Sequence, residues 1–184
     1  TRILEVRPRD PYRFGYRLWL DTETALPLRS DLVAGDGESI EQLYFIHVSF
    51  PETIPAADLM PELSAEGYSQ YRRSATVTAD AQQSLVPEWV IGDLPRGFKF
   101  EGVQRRPGMA AGSEIEHLAL SDGLASVSVF IEELPESESA MVGFADTGKA
   151  YGTVYGRHQI TVMGDVPNRT LRRIGRSARP LSSF

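Results

Sequence analysis

The sequence predicts an α+β fold that is mostly antiparallel β and is built as two units. Side chains alternate between apolar and polar over residues 12–21, a period of two that is typical of a half-buried β-strand. Further extended runs follow along the chain, separated by turn signals such as those at residues 34–37 and 121–123. A helical period is found near the end, at about residues 168–178, so we expect strands to dominate.

The first unit is predicted as a sheet of four strands followed by a short helix. Turn signals at 8–11, 21–24 and 34–37 separate strands at 2–7, 12–21, 26–33 and 40–50. The helix at 56–60 begins after Pro55. One parity of the second strand is apolar and consists of Tyr12, Phe14, Tyr16, Leu18 and Leu20. Trp19 interrupts the polar parity. A sheet with one aromatic-rich face of this kind must cover something.

The second unit is predicted to follow a linker. Residues 75–84 are small and polar without an apolar period, which is typical of a linker. We therefore predict domains at 1–75 and 89–184, joined by a linker at 76–88. Within the second domain the patterns indicate one helix, for which Asn168 is a favourable N-cap, with an apolar stripe of Leu171, Ile174 and Ala178. Strands are predicted at 89–91, 98–104, 115–120, 124–132, 140–145 and 158–163.

The dipeptide Asp122-Gly123 predicts a two-residue hairpin between two of these strands. If both residues are central to the turn, Leu120 faces Ala125 and Leu118 faces Val127. The expected register therefore places Leu118 and Leu120 on one face of the sheet.

Composition and motifs favour binding over catalysis. The chain has no cysteine, which excludes disulfides, thiolate zinc sites and cysteine nucleophiles. The stretch 143–150 (GFADTGKA) has P-loop spacing, but Ala150 replaces the required Ser or Thr. No spacing pairs His47, His117 or His158 as metal ligands, and no GxSxG is present. We expect no catalytic residue, no metal and no cofactor.

The helix carries a concentration of positive charge, in Arg169, Arg172, Arg173, Arg176 and Arg179. These guanidinium groups could contact phosphates, pair with an acidic partner peptide, or simply cover a solvated helix face. Residues 90–184 carry 11 basic and 11 acidic side chains, so their net charge is zero. Because a DNA-binding domain is normally basic, we expect no nucleic-acid partner. We hypothesise that Arg172, Arg173 and Arg176 form a surface for an acidic partner or a lipid headgroup.

The aromatic strand face also has two interpretations. Tyr12, Phe14, Tyr16 and Leu18 either form an ordinary core or, in a sheet too open to close, line an apolar groove for an acyl chain or an apolar segment.

Four separated blocks of the sequence carry a resemblance to a known family. Residues 8–33 (PRDPYRFGYRLWLDTETALPLRSDLV) with 38–48 (ESIEQLYFIHV) resemble the latter half of the N-terminal domain of the MucB/RseB family, regulators of envelope-stress sigma factors in Gram-negative bacteria. LPRGFKF (94–100), HLALSDGLASVSVFIEEL (117–134) and AYGTVYGRHQITVMGDVPNRTLRRIGRSA (150–178) resemble its C-terminal domain. The resemblance implies an open half-barrel similar to the lipoprotein carrier LolA, present in part, and a small α+β domain after it.

The resemblance also implies a function. Members of the family act in the periplasm, where they hold the periplasmic segment of a transmembrane anti-sigma factor and shield it from proteolysis until lipopolysaccharide or lipoprotein signals release it. It further implies that a signal peptide and the first half of the N-terminal domain are not included here. The alternatives are a periplasmic lipid or lipoprotein carrier, a structural oligomerisation module that forms a homo-oligomer, and a small catalytic β-domain.

Overall fold

A computed structural model describes residues 1–61, 67, 85–108, 112–135, 139–145 and 148–181. The first unit is a four-stranded antiparallel sheet in the order β1-β2-β3-β4. Its strands are β1 (Arg2–Val6), β2 (Gly15–Leu20), β3 (Pro27–Val33) and β4 (Ser39–Tyr44), and a 3-10 turn covers Ala56–Leu59. Since Leu4, Leu18, Ser30 and Leu43 pair across the four strands, apolar side chains share one face.

The second unit is a six-stranded antiparallel sheet with a helix on one face. The sheet has the order β6-β7-β8-β11-β10-β9, and a separate short pair joins β12 to β5. The elements are β5 (Trp89–Ile91), β6 (Lys99–Pro107), β7 (Glu114–Ser121), β8 (Ser126–Glu133), β9 (Gly143–Phe144), β10 (Ala150–Tyr155), β11 (His158–Gly164), α1 (Asn168–Ser177) and β12 (Ala178–Pro180).

The large apolar core of the described residues lies between the second sheet and α1. Leu171 and Ile174 of α1 are fully buried, as are Val129 and Val162 of the sheet below them. All members of this buried cluster lie between residues 89 and 178. In the first unit, Leu32 is the buried apolar side chain of the described residues. Among the described helices, none is long and apolar enough to cross a membrane.

The fold class predicted from the sequence, α+β with mostly antiparallel strands, is confirmed, but several strands are shorter than expected. Residues 12–14 precede β2 because the Tyr12 N–H donates to the Asp10 side chain at 2.9 Å, which closes a turn. β4 ends at Tyr44, and Phe45 and Ile46 are exposed. Residues 75–84, on which the predicted linker rests, lie outside the described residues.

The predicted strand at 140–145 is reduced to Gly143–Phe144. Its beginning is held by a side chain instead of a strand ladder, since the Gln159 amide bonds to both the N–H and the C=O of Met141 at 2.9 Å.

The expected two-residue hairpin at Asp122-Gly123 is wrong. Ser121 pairs with Ser126, so the loop has four residues and Leu118 faces Val129, not Val127. The cause is the Asp122 carboxylate, which accepts the N–H groups of Leu124 and Ala125 at 3.0 and 2.8 Å and so extends the turn. Because the shift is two residues, each side chain keeps its predicted face.

The predicted capping role of Asn168 is also wrong. The helix begins at Asn168 itself, with Pro167 as N-cap and no side-chain cap. The Pro167 carbonyl instead accepts the Thr170 N–H at 2.7 Å.

Candidate functional site at the junction of the two units

The apolar face of the first sheet is partly open to solvent. We define it as Leu4, Val6, Tyr16, Leu18, Leu32 and Leu43, which share one side of the four strands. Leu4 and Leu43 are 46% and 73% exposed. An apolar sheet face with this exposure is a candidate surface for a ligand or a partner.

The opposite face is a polar ladder that explains Trp19. Arg29, directly across from Trp19, places its guanidinium carbon 4.3 Å from the indole centroid. The same guanidinium donates two hydrogen bonds of 2.7 Å to Asp31, which is 1% exposed. This contact, helped by the Ser39 hydroxyl, holds the pKa of Asp31 below its usual value despite burial.

Tyr12 connects the first unit to α1 of the second. The Thr170 hydroxyl donates to the Tyr12 carbonyl at 2.8 Å. Arg173 lies over the Tyr12 ring, with its guanidinium carbon 4.6 Å from the centroid. The same guanidinium forms a bidentate pair with Asp93 at 2.6 and 3.0 Å. One predicted arginine and one predicted aromatic residue therefore meet, in a contact between the units.

Arg13 makes a second connection between the units. Its Nε donates to Asp122 at 2.5 Å, and its other nitrogens contact Asp10 and the Arg96 carbonyl. Burial alone would raise the pKa of Asp122, but hydrogen bonds from two backbone N–H groups and from Arg13 lower it. Gly97 follows Arg96 with φ +95°, and a Cβ there would meet the Arg13 guanidinium at 2.8 Å. The positive φ favours glycine at this position, and the missing Cβ leaves room for the Arg13 guanidinium.

Lys149 makes a third connection. Its ammonium lies 2.9 Å from Asp165 and 3.0 Å from Glu41 of β4. These two carboxylates raise the pKa of Lys149, so it stays charged at any physiological pH. Tyr16 lies near Asp122, Asp165 and Glu41, and the pKa of its phenol is raised by burial first and by these charges second.

A cleft of about 560 Å³ opens between the two units beside these contacts. Phe14, Tyr16 and Leu124 supply apolar lining, while Arg13 and Asp122 supply charge. A neighbouring cleft of about 620 Å³ shares the wall formed by residues 6–10 and Tyr16.

The predicted site residues differ in their exposure and in the elements that hold them. Tyr12, Phe14, Tyr16 and Leu18 are all half-buried and none is sealed in a core, but Tyr12 and Phe14 precede β2. Arg172 and Arg176 are exposed. The guanidinium of Arg172 lies 5.0 Å from the Phe144 centroid, and Arg176 donates to the Tyr151 hydroxyl at 3.3 Å.

Sequence reasoning missed the roles of Arg13, Asp122, Lys149 and Glu41. Their partners are more than 100 positions away in the chain, and no local pattern marks them. In the parts of the chain that the structure describes, no group of His, Asp and Glu side chains could hold a metal ion.

Comparison with known protein families decides the family. The MucB/RseB N-terminal domain matches residues 1–63, and the MucB/RseB C-terminal domain matches residues 83–179. The chain belongs to the MucB/RseB family. The four-stranded sheet lies within the N-terminal match, and the six-stranded sheet lies within the C-terminal match.

Curated members of the MucB/RseB family are similar over nearly the whole chain. The Sigma factor AlgU regulatory protein MucB of Pseudomonas aeruginosa is 33% identical over 186 residues, covering 97% of this chain and 55% of that protein. The Sigma-E factor regulatory protein RseB of Escherichia coli K12 is 31% identical, with coverage of 96% and 54%. The chain spans about half the length of the curated relatives it matches.

Solved MucB structures share the fold. A crystal structure of MucB in complex with MucA(peri) superposes with a TM-score of 0.75 at 28% identity, covering 97% of this chain and 61% of that one. A Pseudomonas aeruginosa MucA/MucB complex gives 0.74 at 28% identity, with coverage of 97% and 59%. A crystal structure of MucB gives 0.63 at 30% identity, with coverage of 97% and 57%.

Proposed function

We propose that the protein is a periplasmic negative regulator of an envelope-stress sigma factor of the sigma-E/AlgU type. It binds the periplasmic part of a transmembrane anti-sigma factor and shields that part from regulated proteolysis. The observation that carries the proposal is the match to both MucB/RseB domains in order, together with the fold shared with MucB in complex with MucA(peri). Burial of a flexible segment by a binding protein lowers the concentration that a protease can cleave.

The proposed domain assignment follows the sequence prediction. Residues 1–75 form the latter part of the lipid-carrier-like domain, 76–88 the linker and 89–184 the second domain. The regulatory names of the relatives favour a binding function over catalysis, in agreement with the absence of a catalytic motif in the sequence.

Co-purification and protease protection test the function. The protein is used to capture partners from envelope extracts of its source organism, and bound proteins are identified by mass spectrometry. We expect a membrane-spanning anti-sigma factor, and we expect its periplasmic segment to be cleaved more slowly in the presence of the protein. Capture without slower cleavage would overturn the shielding mechanism, and no capture would overturn the function.

Arg172 and Arg176 are proposed to contribute to an acidic-partner or lipid-headgroup surface, whereas Arg173, the third arginine of the sequence hypothesis, is held by Asp93 and Tyr12 at the junction of the units. The support is the exposure of Arg172 and Arg176 on one side of α1, four residues apart. Charge reversal at these two positions should weaken capture, and more strongly at low salt, because exposed charges are screened by ions. Arg157→Glu is the matched control, since Arg157 is also exposed and lies away from α1, beside Glu133. Equal affinity of all variants from about 50 to about 300 mM salt would refute this surface.

Lipid binding is the second candidate function, favoured by the exposed apolar face of the first sheet. The bound lipid or lipoprotein would then be either a cargo that the protein carries or a signal that releases the anti-sigma factor. Leu4 and Ile3 are neighbours on β1, 46% and 56% exposed, and point to opposite faces of the sheet. We expect Leu4→Asp to reduce binding of a fluorescent acyl probe and of lipopolysaccharide, and Ile3→Asp to leave it unchanged. Equal losses in both variants would count against the apolar face.

A structural oligomerisation module is the remaining alternative. Sedimentation with and without the anti-sigma segment separates it from the regulator, because a regulator binds the segment whatever its own oligomeric state.

A further inference from the structure

Among the described residues, the two units meet through polar contacts and do not share the large buried apolar cluster. All residues of the large buried apolar cluster, and the half-buried apolar residues packed against it, belong to the second unit. Three contacts, here called bridges, join the first unit to the second. Glu41 pairs with Lys149, Arg13 binds Asp122 and the Arg96 carbonyl, and Tyr12 contacts Thr170 and Arg173. Units joined by a polar interface are expected to move relative to one another.

The charged bridges have a geometry that suits a reversible contact. The Lys149–Glu41 pair is more than half exposed on both sides, so water and salt compete with it. The Arg13–Asp122 pair is tighter, with side chains 19% and 7% exposed. Arg13 and Asp122 also line the cleft of about 560 Å³ between the units. A charged ligand that enters this cleft therefore competes directly for the bridge.

We propose that these bridges form a latch that sets the angle between the two units, and that the closed latch is the form that holds the anti-sigma segment. This inference rests on the proposed function and adds its regulation. The chain superposes on MucB with TM-scores of 0.75 and 0.74 where MucA is present and 0.63 in the structure of MucB, at the same 97% coverage of this chain.

The angle between the units is measured by fluorescence energy transfer. Because the chain contains no cysteine, Thr22→Cys and Gln104→Cys, both at exposed positions, introduce one dye in each unit. Glu41→Lys places an ammonium group beside Lys149 and should open the latch. Glu38→Lys is its matched control, because it makes the same charge change on an exposed residue of the same hairpin. Lys149→Glu added to Glu41→Lys restores an ion pair, and this rescue is partial because Asp165 remains beside position 149.

The second bridge has its own pair of variants. Arg13→Gln removes the partner of Asp122, while Arg2→Gln makes the same change on an exposed arginine of β1 outside the lining of that cleft. Binding of each variant to the periplasmic domain of Pseudomonas aeruginosa MucA is titrated in parallel. Opening reduces the fraction of binding-competent protein, so we expect affinity to fall by roughly three- to tenfold in Glu41→Lys and Arg13→Gln. The two control variants should keep both the transfer efficiency and the affinity of the parent.

The two readouts separate the possible failures. Unchanged energy transfer in Glu41→Lys and Arg13→Gln would show that the bridges do not set the angle. Changed transfer with unchanged affinity would show that the closed form is not the partner-holding form. A parent protein that binds neither the MucA domain nor an anti-sigma factor from its own envelope extracts would overturn the proposed function and this coupling with it, while energy transfer would still decide whether the bridges set the angle.

Discussion

Glu116→Gln is expected to destabilise the second unit because this carboxylate holds the start of that unit in place. Glu116 lies on β7 and is 6% exposed. Its oxygens accept the N–H of Glu88 at 3.0 and 3.1 Å and that of Trp89 at 3.0 Å, and Arg105 lies 3.4 Å away. Glutamine has nearly the same shape but carries one acceptor oxygen and no charge, and its NH₂ group would face the Arg105 guanidinium.

The size of the effect follows from these contacts. Two hydrogen bonds to a charged acceptor become bonds to a neutral one, a loss of about 1 kcal/mol each, so we expect the free energy of unfolding to fall by about 2 kcal/mol. Trp89 is 5% exposed and reports on this unit by fluorescence, if Trp19→Phe removes the signal of the first unit. Urea denaturation then gives the midpoint and the slope, and the slope should not change.

Glu114→Gln is the matched control on the same strand. Glu114 is also paired with Arg105, but at 3.8 Å and with a side chain 62% exposed. Its loss should change stability by less than about 0.5 kcal/mol. Equal destabilisation by the two substitutions would show that charge near Arg105, and not the bonds to the backbone of residues 88 and 89, is what matters.

Three further predictions concern buried polar groups and the two cores. Asp31→Asn should lower the free energy of unfolding, measured by urea denaturation, by about 1–2 kcal/mol, because Arg29 loses a charged acceptor. Since the folded pKa of Asp31 is lowered, the wild type should lose this contribution only as pH falls below the usual aspartate range. The variant should lack that pH dependence. Burial, then Arg106, lowers the pKa of His117, whose ring nitrogens have no hydrogen-bond partner among the described residues. Wild-type stability should therefore fall as pH drops below 6.5, and His117→Phe should flatten that fall. Hydrogen exchange should be faster in β2 and β3, where Leu32 is the buried apolar residue of the described chain, than in β7, β8 and β11; equal protection would contradict the separate cores.

The sequence was sufficient to predict the elements whose signal is local. Alternation predicts the strands, and the spacing of Leu171 and Ile174 predicts α1 and the side that it buries. The register of the β7–β8 hairpin was not predictable to the same degree. Asp-Gly indicates that a turn exists, but the loop length depends on whether the Asp122 carboxylate bonds to the following N–H groups, and that is a choice of side-chain rotamer.

The candidate site could be predicted only in its ingredients. The aromatic strand face and the arginines of α1 are visible in the sequence, but nothing local shows that Tyr12 and Arg173 meet. Arg13 appears in the sequence as one polar side chain of an alternating strand. Its contact with Asp122 depends on the turn that takes residues 12–14 out of β2, and on Gly97, which admits its guanidinium.

The geometry of α1 separates two effects that a triple charge reversal would combine. Leu171 and Ile174 face the core, Arg173 faces Tyr12 and Asp93, and Arg172 and Arg176 lie on the exposed side. A substitution at 173 therefore acts on the junction between the units, whereas substitutions at 172 and 176 test the proposed partner or headgroup surface without touching the junction. A partner bound at the exposed arginines would lie next to the junction, because Arg172 directly precedes Arg173 on α1. Binding there would be linked to the angle between the units through α1. This helix acts as a rigid element, because its core face cannot move without opening the largest apolar cluster of the described residues.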